Sequence, residues 1–112
     1  MSKVVDLEHL RRSKRRVSFD RRELRELMEV YSRRVASGEW RDYAIDYEAG
    51  MAVFSIFRSA YETPLYRIAK IAGRSVAEQT EWMVVSGPRR LKRTGSLLDA
   101  LSVFDRKLEF VR

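Results

Sequence analysis

Asp42 and Asp46, in the stretch GEWRDYAIDY, are the first residues whose type and spacing suggest acid–base chemistry. On one face of a strand, four residues separate them by about 13 Å, beyond the spacing of a glycosidase carboxylate pair. They read instead as solvated acids on an outer face. The single histidine, His9, lies in a strongly basic N-terminal stretch, whereas a Ser-His-Asp triad needs its histidine fixed against a buried carboxylate. With no cysteine there can be no disulfide or thiolate nucleophile, and nothing resembles a zinc ligand set. Five scattered glycines form neither a dinucleotide fingerprint nor a phosphate loop. The chain is therefore expected to be a non-enzyme, with no catalytic residues, no metal and no cofactor.

Anion binding is the chemistry that survives. Lysine and arginine number 23, most of them arginine, against 16 acids, giving a formal charge of +7 and a pI near 10.1. Such a balance favours nucleic acid, an acidic protein or anionic lipid. The cations cluster twice. Lys14, Arg15 and Arg16 precede a helix whose first turn holds Arg21 and Arg22, where the macrodipole disfavours positive charge by about 0.3–1 kcal/mol each. Arg89, Arg90, Lys92 and Arg93 repeat the pattern ahead of a second capped helix. An anion docking there would gain from the side chains and from the helix end together. The alternative is two solvated basic patches, with Asp20 and Asp99 already satisfying the helix ends, and both alternatives stay open at this point. Tyr43, Tyr47, Phe54, Tyr66 and Trp82 could stack bases on a sheet face. Packing beneath helices is the favoured role for these rings.

The elements that must position these residues are legible as periods. A chain of 112 residues fits one domain, here a basic mobile arm over 1–16 and a single α+β domain over 17–112. Asp20 and Glu23 have the spacing of a capping box. Leu24, Leu27, Met28, Tyr31 and Val35 then mark one helical face through about Ala36, and Gly38 is the expected stop. An Arg25, Glu29, Arg33 ladder reads as a solvated face. From 41 the period becomes two, with Tyr43, Ile45 and Tyr47 pointing inward. EAG at 48–50 is a turn, and MAVFSIFR, apolar on both faces, is a central strand. AYETP at 60–64 is a second turn before the strand LYRIAKI, and the polar loop GRSVAEQ precedes the strand TEWMVVS. GPRRLKRTG reads as a turn with room for a short strand around Leu91. Ser96 and Asp99 cap a final helix carrying Leu97, Leu101, Phe104 and Leu108. The expected fold is an N-terminal helix, a four-stranded antiparallel meander and a C-terminal helix. Tyr43, Ile45, Phe54, Ile56 and Phe104 should lie in its core, and Trp40 should plug the lower end of the first helix.

GEWRDYAIDY, AVFSIFR, PLYRIAK and FDRKLEF together resemble a small alphaproteobacterial family, domain of unknown function 2794, over about Val17 to Val111. The resemblance implies a bacterial cytosolic domain and carries no mechanism.

No apolar run approaches the roughly 18 residues of a membrane span, and the N-terminus has no hydrophobic signal region. The expectation is a soluble cytoplasmic protein that binds DNA or RNA through phosphates, with no membrane role. The alternative is a homodimeric interaction or regulatory module that binds an acidic protein. A dimer would cover the second apolar face of the central strand.

Overall fold

The computed structural model describes residues 16–59, 63–73 and 79–110, with the last helix beyond Asp105 described by its backbone alone. The elements are α1 (Arg21–Ala36), β1 (Asp42–Glu48), β2 (Met51–Phe57), β3 (Tyr66–Ile71), β4 (Glu81–Ser86), β5 (Arg89–Thr94) and α2 (Leu97–Phe110). The expected arm, apart from Arg16, lies outside the described residues, as do parts of the 60–64 turn and of the GRSVAEQ loop and the side chain of Leu108.

Both ends of α1 are set by local chemistry. The Asp20 carboxylate accepts from the Glu23 amide at 2.8 Å, and Glu23 Oε1 accepts from the Asp20 amide at 2.9 Å, completing the box. Gly38, at φ +84, takes the left-handed position after the Ser37 cap. The apolar stripe departs from expectation in its last turns. Val30 and Arg34 are buried while Val35 is 39% exposed, because α1 leans on α2 as well as on the sheet. The Arg25, Glu29, Arg33 face is solvated as expected, all three being exposed, and Arg22 pairs with Glu26 at 3.7 Å on the same helix. In α2, Asp99 donates its amide to Ser96 Oγ at 3.2 Å. The reciprocal contact is replaced, since Thr94 Oγ1 and Lys92 occupy the Asp99 carboxylate.

The sheet is an antiparallel meander in the order β1-β2-β3-β4-β5, so it has five strands rather than the expected four. RRLKR is an edge strand, entered through a tight turn with Gly87 at φ +58. Its charge made it resemble a turn, yet cations are how an edge strand resists pairing with other chains. A bulge opposite Val84 and Val85 then sorts its side chains. Arg90 lies opposite Val85 and Arg93 opposite Met83, while Lys92, opposite Val84, turns to α2 and meets Asp99 at 3.2 Å.

Both helices cover one face. There Ala52, Phe54, Ile56, Ile68, Trp82 and Val84 join Leu27, Val30, Trp40, Leu97, Leu101 and Phe104 in one cluster. Ile45 packs against it half-buried. Tyr43 is on the expected face but is 39% exposed, since β1 is an edge; its ring stacks on Phe54 at 5.3 Å. On the other face Met51, Val53, Ala69, Ile71, Met83 and Val85 form a second buried cluster, and no helix lies on it among the described residues.

Candidate functional site

Where α1 ends, the sequence GEW builds more than a helix stop. Arg34 is 3% exposed. Its Nη1 donates to Glu39 Oε1 at 2.6 Å, its Nη2 donates to the Phe104 carbonyl, and its guanidinium lies 5.5 Å from the Trp40 ring centroid and 6.0 Å from that of Phe104. The Arg34 carbonyl accepts from the Glu39 amide at 2.9 Å and the Trp40 amide at 3.3 Å. Trp40 thus closes the lower end of the helix as expected, and Arg34 ties α1 to α2 through it. Beside this clamp opens a cleft of about 500 Å³, lined by Arg34, Gly38, Glu39 and Trp40 on one side and by Arg58, Leu65 and Tyr66 on the other.

The nine cations singled out in the sequence do not form one site. Lys14 and Arg15 lie outside the described residues. Arg16, Arg21 and Arg22 are exposed where α1 begins. That end is pinned to the sheet by Lys70, whose Nζ donates to Glu23 Oε1 at 2.7 Å and to the Ser18 carbonyl at 2.9 Å. Lys70 pairs with Trp82, whereas Arg89 pairs with Ser86 at the other end of β4, about 13 Å along the strand. Arg89 and Arg90 therefore sit at the opposite end of the sheet from the start of α1, while Lys92 and Arg93 run back along β5, with Arg93 opposite Met83 near the Lys70 end. Several of these cations are also engaged: Arg22 with Glu26, Lys92 with Asp99, and Arg93 with Glu81 at 2.7 Å. Thr94 and then Lys92 hold the Asp99 carboxyl below its ordinary pKa, by hydrogen bonding first and charge second.

The meander assembles a different set. Arg41, whose amide donates to the Phe57 carbonyl at 2.9 Å, stands beside Arg58 at one sheet end. Arg67 is the second residue of β3 and pairs with Ser55 and Val85. Val85 pairs in turn with Arg90, which follows Arg89. Five arginines from four segments thus share one end of the sheet, and none has an ion pair among the described residues. Arg41, Arg58, Arg89 and Arg90 are exposed and Arg67 is half-buried. The acids nearest in register are Asp42, which accepts from the Tyr43 amide, and Glu39, which is committed to Arg34. Arg58 belongs both to this rim and to the cleft. Arg41, Arg58 and Arg67 are isolated in sequence, so a search for charge runs passes over them. Only the register brings them to Arg89 and Arg90.

No curated protein and no solved structure matches the chain. A family model described as Protein of unknown function (DUF2794) matches residues 17–101, most of the chain, including GEWRDYAIDY, AVFSIFR and PLYRIAK, and the protein belongs to that family.

Proposed function

We propose that this protein binds nucleic acid through its phosphate backbone, using Arg41, Arg58, Arg67, Arg89 and Arg90 at one end of the sheet. The observation that carries the reading is their convergence at one sheet end from four chain segments, with no ion pair among the described residues. Arginine presents a planar fork suited to phosphate oxygens. Guanidinia at one sheet end with no ion pair among the described residues can replace the counterions that a polyanion sheds. Arg16 and Arg21, at the far end, form a separate and smaller patch.

The test is the salt dependence of binding to a single-stranded oligonucleotide, followed by fluorescence anisotropy. Five contacts give log K against log salt a slope of about −3.5, at about 0.7 per phosphate on a single strand. Replacing Arg89 and Arg90 with alanine flattens it by about 1.4 and leaves folding intact. Absence of binding to DNA and RNA at low salt overturns the reading. The same cations would then serve the alternative, an acidic protein partner, which a nuclease-treated pull-down identifies.

A further inference from the structure

We infer that the cleft beside the arginine rim holds one unpaired nucleobase, which makes single-stranded nucleic acid the preferred ligand; this rests on the phosphate-binding reading above. Four features of the cleft carry the inference. Its volume of about 500 Å³ exceeds that of a base and falls within the range of small-molecule pockets. Leu65 and the half-buried Tyr66 ring supply apolar and aromatic wall, and Tyr66 is braced edge-on against Phe104 at 5.0 Å and tilted against Trp40 at 6.0 Å. A ring held in that way presents a surface without first paying the entropy of ordering it, and stacking on such rings tolerates any base. Glu39 provides the polar edge: its side chain is 40% exposed, and with Oε1 engaged by Arg34 it still has acceptor capacity for an N–H on the rim of a base. Finally, Arg58 lines the cleft and also stands in the rim, so a phosphate held there leaves its own base beside the opening.

A duplex cannot use this recess, because its bases are stacked and paired. Bases splayed from a single strand can. A base-free polyanion gains only the arginines.

Three probes at equal salt separate the contributions: a 20-nucleotide thymidine oligomer, a duplex of equal length, and inorganic polyphosphate of matched charge. The oligomer should bind about 10-fold more tightly than polyphosphate, within the range that stacking one base supplies. Leu65→Trp, which fills the cleft, should erase that margin while leaving polyphosphate affinity unchanged. In the wild-type protein, amide resonances of Gly38, Leu65 and Tyr66 should shift with the oligomer and not with polyphosphate, a readout that holds whether or not the variant folds. Equal binding of oligomer, duplex and polyphosphate, with those amides silent, overturns the cleft assignment and leaves the phosphate reading standing. Failure of all three probes to bind overturns both.

Discussion

Glu39 is 40% exposed by its side chain, and an exposed glutamate is ordinarily replaced at a cost within about 0.5 kcal/mol. Glu39→Ala should be far worse, because the partner it abandons is not exposed. The Arg34 side chain is 4% exposed, and it is always charged. Without the carboxylate it keeps the Phe104 carbonyl and two ring faces. Breaking a buried pair by removing one partner costs about 3–5 kcal/mol. The carbonyl and ring contacts of Arg34 are present before and after the substitution and cancel, while the 40% exposure of Glu39 lets water partly screen the pair, so the expected loss is about 2–4 kcal/mol. Arg34→Met reverses the logic: Glu39 simply hydrates, and an unbranched apolar chain follows the path of the arginine stem. The double variant Arg34→Met, Glu39→Ala should therefore be more stable than Glu39→Ala alone. Urea denaturation read by tryptophan fluorescence measures all three, with an unchanged slope showing that the same surface is exposed on unfolding. A loss below about 0.5 kcal/mol for Glu39→Ala would refute the claim that the clamp depends on its exposed half.

Asp99 should titrate below the ordinary aspartate value of 3.8 in carboxyl-detected NMR, and both Thr94→Val and Lys92→Ala should raise it, the first by removing the largest single cause and the second by removing a hydrogen bond and a charge together. A folded-state pKa below the unfolded one means that this contact stabilises the fold above the ordinary carboxylate range and is lost as pH falls through the lowered value; an unshifted titration would show that the contact does not persist in solution. Light scattering tests the dimer expected from the apolar second face. Its six apolar side chains are already at 5% exposure or less in a single chain, so association there gains little from burial, and a stable 13.2 kDa species at high concentration would remove the dimer.

Where sequence and structure agree, the deciding physics is local. The capping box at Asp20 and the left-handed Gly38 involve residues within a few positions of each other, so their spacing alone implies the geometry. The alternation of Tyr43, Ile45 and Tyr47 likewise gave their face correctly. It could not give their burial, because whether a strand is central or an edge is decided by its neighbours. The fifth strand is legible around Leu91 only as an alternative to a turn, for the same reason: edge strands carry charge, and RRLKR has the composition of a loop. Arg34 was missed because it sits one helical turn from Val30 on a stripe that only α2 makes buried, and its partner Phe104 is 70 residues away.

The arginine rim invites a purely structural explanation, and edge protection supplies part of one. β5 is an edge strand, and its Arg89, Arg90, Lys92 and Arg93 discourage pairing with another copy, as Asp42, Asp46 and Glu48 do on β1 at the opposite edge. Arg41 and Arg58 flank strands and could be solvated termini. Arg67 fits neither account. It lies on β3, the middle strand of five, half-buried between Ser55 and Val85, with no ion pair among the described residues. A half-buried arginine with no ion pair among the described residues covers apolar surface less well than an aliphatic side chain would, and edge protection has no use for it in the centre of a sheet. If the rim served only to keep the protein soluble, Arg67→Leu would stabilise the fold and change nothing else, joining the buried apolar cluster of Ala69 and Val85 on that face. If the rim binds phosphate, the same substitution stabilises the free protein and weakens its complex, two effects of opposite consequence from one side chain, so Arg67 separates the structural explanation from the functional one more sharply than any residue of the basic runs.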